Sequence, residues 1–182
     1  MEYKMTIAGL ERSLPLCRVT DDLYIAGFIM FDDVEITEAC AAELLAQAPD
    51  FDVLVTAESK GIPLTYEMAR QSGKPYIVAR KGAKPYMQDI VKVQVNSITT
   101  DHVQTLCLGK AEREKMKGKQ CLIVDDVIST GESLAALEQL VDAVGGNIAG
   151  KFTVLAEGEA ADRDDITFLE YLPLFNGEGE PQ

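Results

Sequence analysis

Asp125 and Asp126 stand side by side at the close of an apolar run, and Ser129, Thr130, Gly131 and Ser133 follow almost at once. Two adjacent carboxylates can accept hydrogen bonds from neighbouring hydroxyls, as on a ribose. They cannot bind a phosphate. The loop after them can, if it leads into a helix: the first-turn N–H groups of a helix have no partner within it, and its dipole favours an anion there. Acids followed by a hydroxyl- and glycine-rich turn therefore suggest a sugar phosphate, with the diol on the acids and the phosphate on the turn.

The flanking elements must place these groups. Cys121–Val124 is apolar, with β-branched Ile123 and Val124, and reads as a buried strand that ends at the acids. Leu134, Leu137, Leu140, Val141 and Val144 recur at helical spacing until Gly145-Gly146 stops them. The plainer reading is an ordinary strand–turn–helix with Ser129 or Thr130 as N-cap. Upstream, Leu23–Phe31 is a strand or a hood over a pocket. Val34, Ile36, Ala39, Cys40, Leu44 and Leu45 mark a helix capped by Asp33 and ended by Pro49. Phe51–Ala57 reads as a strand, Glu58-Ser59-Lys60-Gly61 as a tight turn, Ile62 to Gly73 as a helix with Pro63 near its start, and Pro75–Arg80 as a strand. Lys81–Asp89 is a basic loop. Ile90–Ile98 and Val103–Leu108 form a hairpin projecting from the sheet, with its turn at Thr99–His102. Gly109–Lys119 is a polar connector, Ile148–Ala156 and Ile166–Leu174 are further strands, and the tail from Asn176 is frayed. Strands alternating with helices predict one α/β domain over 1–182, a doubly wound, mostly parallel sheet. In such a sheet the turns after 51–57 and 121–126 face one crevice at the C-terminal strand ends.

Composition narrows the partners. The chain has 182 residues, 26% charged, with a net charge of −13, which disfavours nucleic acid and anionic membrane. Against that background residues 60–92 gather Lys60, Arg70, Lys74, Arg80, Lys81, Lys84 and Lys92, with only Glu67 and Asp89 opposing them. A polyanionic substrate needs such a patch; a solvated basic face is the alternative. No apolar run is long enough to span a membrane, and the N-terminal MEYKMTIAGLERS lacks a secretory core. Four cysteines without a Cys-x-x-Cys pair, and one histidine, His102, argue against a zinc site and for reduced thiols in the cytoplasm.

The segment CLIVDDVISTGESL (121–134) resembles the phosphoribosyl-pyrophosphate motif of the type I phosphoribosyltransferases, and the likeness extends from about Val34 to Phe175, nearest the adenine and xanthine enzymes. The resemblance implies that Asp125 and Asp126 bind the ribose and that Ser129, Thr130, Gly131, Glu132 and Ser133 form the phosphate turn. Glu132 replaces a common glycine and must point to solvent. Glu58, Ser59, Lys60 and Gly61 resemble the pyrophosphate loop, where arginine is more usual than Lys60; a strained cis peptide, if present, belongs near Ser59–Lys60. Arg80, Lys81 and Lys84 match basic residues that reach the pyrophosphate, and 81–103 matches a flexible lid. Val127 and Ile128 would flank a planar base, with Phe28, Ile29 or Met30 of the 1–31 hood segment opposite, unless these are core. The implied catalytic residues are Asp125, Asp126, Lys60 and Arg80. The implied reaction transfers the 5-phosphoribosyl group from phosphoribosyl pyrophosphate to a purine, with Mg²⁺ carried on that substrate, no protein metal ligand, and a homodimer. The hood sequence Ile29–Asp33 has no arginine, and Ser97-Ile98 stands where adenine enzymes often carry Glu-Tyr. The acceptor therefore stays open: adenine first, then xanthine, hypoxanthine or a pyrimidine. The alternative is a regulator that senses phosphoribosyl pyrophosphate without turnover, although no helix-turn-helix pattern lies ahead of residue 30. A P-loop nucleotide hydrolase has no Gly-x-x-x-x-Gly-Lys run to support it.

Overall fold

A computed structural model describes the backbone of residues 1–96 and 103–182, and side chains outside 95–104. Five parallel strands form its centre: β4 (Val53–Ala57), β5 (Tyr76–Ala79), β8 (Gln120–Ile128), β9 (Asn147–Glu157) and β10 (Thr167–Leu172), in the order β10-β9-β8-β4-β5. The order reverses between β4 and β8. Chain growth runs outward to β5 on one side and to β9 and β10 on the other, so the C-terminal ends of β4 and β8 mark the switch point at which such sheets bind ligands.

Every residue of β4 is buried, as expected of a central parallel strand covered on both faces. Its alternation sorts the core into two layers. Leu54, with Leu122, Val124, Phe152 and Val154 on neighbouring strands, faces helices α1 (Val34–Gln47) and α2 (Ile62–Ser72). Val53 and Val55, with Cys121 and Ile123, face helix α4 (Glu132–Ala143), which contributes Leu134, Leu137, Leu140 and Val141. A separate antiparallel sheet, β1 (Glu2–Ile7), β2 (Leu10–Arg18) and β3 (Tyr24–Ala26), lays Ile7, Leu14 and Ala26 into the α1–α2 layer.

The helix ends follow from local chemistry. Asp33 caps α1 by accepting from the Ile36 N–H at 3.1 Å, and Arg12 holds the same carboxylate at 2.7 Å. Pro63 occupies the first turn of α2, where a missing N–H costs nothing, and Gly73 ends it in the left-handed region at φ 68°.

Four expectations from the sequence fail. The acids do not follow β8; the strand runs through both of them to Ile128. Pairing with β9 continues from Gln120 to Ile128, so the ladder carries the polar pair along. The segment 109–119 is not an irregular connector but contains helix α3 (Lys110–Met116), anchored by buried Met116. The hairpin of β6 (Val91–Asn96) and β7 (Val103–Leu108) does not stand clear of the body. Leu106 and Leu108 are buried with the α4 layer, and Cys107 exchanges backbone hydrogen bonds with Arg80 at 2.8 and 3.0 Å. The expected Thr99–His102 turn and the Ser97-Ile98 position lie outside the described residues. The tail is not frayed. Phe175 is buried and bonded to Tyr24 in both directions, and the Asn176 side chain accepts from the N–H groups of Glu178 and Glu180.

Candidate functional site

Asp125 and Asp126 sit on adjacent positions of β8 and so point to opposite sides of the strand. Both are buried, at 8% and 4% exposure, which is unusual for carboxylates. Asp125 meets the turn between β4 and α2. Its Oδ1 accepts from the Asp126 N–H at 3.0 Å and from the Ser59 hydroxyl at 3.4 Å. Burial, and then the neighbouring Asp126 charge, push the Asp125 carboxyl up to about 8, well above its ordinary range. Asp126 meets Lys60. The ammonium lies 3.1 Å from Asp126 Oδ2 and donates to the Phe28 carbonyl at 2.9 Å. The approach to Asp126 lacks hydrogen-bond geometry, so the buried Oδ2 has no hydrogen-bond partner among the described residues. Lys60 thus joins three parts of the chain: the β4–α2 turn, the acid pair and the N-terminal hood segment.

Gly61 packs closely against Asp125, and a side chain there would make its neighbours give by a few tenths of an ångström. A Cβ there would lie 3.0 Å from Asp125 Oδ1 and 3.3 Å from Asp125 Cα, although φ is an ordinary −71°. The β4–α2 turn contains no cis peptide bond; none occurs among the described residues.

Glu58 opens the turn and gathers the expected cations to itself. Arg80 lies 3.0 Å from its carboxylate and Lys84 3.9 Å, and the Lys81 N–H donates at 3.0 Å. The Lys81 N–H first, and then the Arg80 and Lys84 charges, hold the Glu58 carboxyl below its usual range. Arg80 Nε is buried and without a partner among the described residues. The basic island read from the sequence is therefore partly neutralised from within. Arg70 is likewise committed to Glu67 on its own helix, at 2.6 Å.

Beyond the acids, Val127, Ile128, Ser129, Thr130, Gly131, Glu132, Ser133 and Leu134 line, with Asp125, a cavity of about 150 Å³. Ser129 and Thr130 are exposed, and Gly131 to Ser133 are half-buried. No hydroxyl caps α4. Gly131 occupies the cap position at φ 79°, a left-handed conformation that suits glycine, and leaves the helix's first N–H groups uncapped by any side chain. Ile128 is 3% exposed and belongs to the α4 layer, while touching the cavity wall. Phe28 and Met30 are core, whereas Ile29 is 55% exposed. Of the base-flanking candidates, Val127 and Ile29 keep accessible surface.

Two contacts had no sequence signal. The Phe28 carbonyl is a backbone group that anchors Lys60 from outside the motif. Arg163, in the segment between β9 and β10, places Nη1 2.7 Å from where a Cβ on Gly131 would be. Nothing in the spacing of Asp162-Arg163-Asp164-Asp165 announces that approach. Among the described residues no cluster of three or more His, Cys, Asp or Glu side chains is arranged to hold a metal ion, and no helix is long and apolar enough to cross a membrane.

Residues 33–178 match the family described as the phosphoribosyl transferase domain. The purine biosynthesis transcriptional repressor PurR of Bacillus subtilis (strain 168) is 33% identical over 125 residues, covering 69% of this chain and 42% of that protein. The xanthine phosphoribosyltransferase of Exiguobacterium sp. is 29% identical over 137 residues, covering 74% and 70%. The adenine phosphoribosyltransferase of Cenarchaeum symbiosum is 30% identical over 154 residues, covering 77% and 80%. Among solved structures, the adenine phosphoribosyltransferase of Leishmania tarentolae shares the fold with a TM-score of 0.68, at 16% identity and covering 93% of this chain and 83% of that one.

Proposed function

This chain belongs to the phosphoribosyl transferase domain family, near its purine phosphoribosyltransferases, and from that premise we propose that it transfers the 5-phosphoribosyl group from phosphoribosyl pyrophosphate to a purine base, adenine before xanthine or hypoxanthine. The products are a nucleoside monophosphate and pyrophosphate. One observation carries the reading. Asp125 of the buried acid pair on β8 and the uncapped turn at the start of α4 line one cavity, which supports a pentose on the acids and its terminal phosphate on the turn.

In this reading the purine nitrogen attacks the anomeric carbon as the carbon–oxygen bond to pyrophosphate breaks, with inversion. The protein supplies position and charge. Asp125 and Asp126 hydrogen-bond the ribose hydroxyls, and Asp126 steadies positive charge as it develops on the ring. The turn 129–133 takes the 5-phosphate on main-chain N–H groups, with Ser129, Thr130 and Ser133 hydroxyls beside them. Lys60, with Ser59 and Gly61 of its turn, and Arg80, Lys81 and Lys84 meet the departing pyrophosphate once Glu58 yields the cations. Val127 and Ile29 offer apolar surface to the base. The 81–103 segment serves as a lid that excludes water from a reactive centre. Mg²⁺ carried on the oxygens of phosphoribosyl pyrophosphate, with no ligand from the protein, would supply charge to the leaving group. A homodimer in the cytoplasm completes the proposal.

The test mixes the chain with phosphoribosyl pyrophosphate, Mg²⁺ and adenine, hypoxanthine or xanthine in turn, and measures pyrophosphate release. Release with one purine supports the enzyme and names its acceptor. The Asp125→Asn, Asp126→Asn double variant is expected to lose at least about a hundredfold in turnover, in the range of removing preorganised polar groups from an active site, while still unfolding cooperatively. The similarity to the repressor PurR favours a second reading, a sensor of phosphoribosyl pyrophosphate. Tight binding with no turnover on any base would favour it and overturn the first.

A further inference from the structure

The Arg163 guanidinium is held in a fixed attitude. Its Nε and Nη2 donate to the two oxygens of Asp165 at 2.9 and 2.8 Å, a bidentate fork. Asp165 is in turn bonded to Lys151 of β9, and Lys151 also binds Glu138 of α4. The fork is thus tied through Lys151 to the helix whose N-terminus forms the phosphate turn. With one edge of the guanidinium committed, Nη1 faces the other way. It makes no hydrogen bond among the described residues and lies 2.7 Å from the Cβ position of Gly131. Arg163 is only partly exposed, at 33% of its side chain. The arrangement holds a cation against the one residue of the turn whose missing side chain leaves room for it.

We propose that Arg163 is a further substrate-binding residue: Nη1 donates to the terminal phosphate of the sugar phosphate seated on the 129–133 turn, and the Asp165–Lys151–Glu138 network positions it. The ligand class is a phosphomonoester on a pentose. This rests on the functional reading given above, since that reading places the 5-phosphate on the turn. It adds a charged N–H donor, oriented by its ion pair with Asp165, at a site otherwise served by main-chain amides and hydroxyls.

The experiment titrates ribose 5-phosphate and, separately, pyrophosphate into the wild-type chain and the Arg163→Gln variant by calorimetry. Loss of a charge-assisted hydrogen bond should weaken ribose 5-phosphate binding by roughly tenfold and leave pyrophosphate binding unchanged, because pyrophosphate belongs at the β4–α2 end of the crevice. A merely structural role would move both ligands together, and that outcome overturns the proposal, as does equal ribose 5-phosphate affinity in the two proteins. If Arg163→Gln does not fold, Arg163→Lys carries the test. A single ammonium can serve Asp165 or the phosphate but does not reproduce the fork, so ribose 5-phosphate binding should again weaken selectively; unchanged affinity in that folded variant overturns the proposal. Wild-type protein that binds no ribose 5-phosphate overturns the functional reading and this inference with it. Wild-type binding that neither variant alters overturns this inference alone.

Discussion

Asp125 combines two demands that oppose each other. Its position in the ladder buries it, and burial beside Asp126 favours the protonated form. The unfolded chain has no such constraint and ionises near 3.8. Between that value and about 8 the folded chain therefore holds a proton that the unfolded chain has released. The sign follows: this group's contribution to stability is fully present below 3.8 and is lost as pH rises toward 8. Asparagine cannot ionise. Melting temperatures followed from acidic to slightly alkaline pH should show Asp125→Asn gaining on the wild type as pH rises, by several degrees at the upper end, even though the variant loses activity. Parallel curves would contradict the raised carboxyl. The two acids were legible in the sequence because adjacent aspartates at the end of an apolar run are conspicuous. Their burial was not, since nothing in the local residues says that β9 keeps pairing past Val124. The Arg163 approach to Gly131 was equally hidden, because it joins residues brought together only by the β9–β10 connection.

The β4–α2 turn carries its own anion. Glu58 takes the Lys81 N–H and the Arg80 and Lys84 charges in the free chain. Those are the groups the functional reading assigns to pyrophosphate, so the carboxylate and the leaving group compete for them. Glu58→Gln should tighten pyrophosphate binding several-fold, an effect of the size expected when a partly exposed ion pair worth up to about 1 kcal/mol is relieved. The same change should slow product release and strengthen product inhibition in steady-state kinetics. Weaker pyrophosphate binding in the variant would instead show that Glu58 orients the cations rather than occupying their site. The helices α1, α2 and α4 were readable from periodicity and end signals such as Asp33, Gly73 and Gly145-Gly146. Helix α3 was not, because a short polar helix with one buried residue, Met116, leaves almost no apolar pattern. The hairpin was readable as a hairpin from its alternation. Its attachment was not: Leu106 and Leu108 look like one face of any strand until α4 is seen to cover them.

At the scale of the whole chain, charge bears on the choice between catalysis and regulation. Lysine and arginine number 17 against 30 aspartate and glutamate residues. The basic residues that cluster in sequence between 60 and 92 are partly neutralised, since Lys60, Arg70, Arg80 and Lys84 are each engaged by a carboxylate of the chain. A regulator that reads duplex nucleic acid must neutralise phosphates over an extended surface, and its affinity depends on how many cations it can bring. Here four of the seven cations between residues 60 and 92 are paired with carboxylates, and the cavity beside Asp125, about 150 Å³, is a space for a small anion rather than a helix groove. Bound phosphoribosyl pyrophosphate would add negative charge and worsen the balance. In a gel-shift titration near 150 mM salt, where the screening length is about 8 Å, this chain should not retard duplex DNA, with or without phosphoribosyl pyrophosphate. Retardation that phosphoribosyl pyrophosphate relieves would mean that the charge of the isolated chain misleads, and would shift the reading from an enzyme to a sensor built on the same sheet.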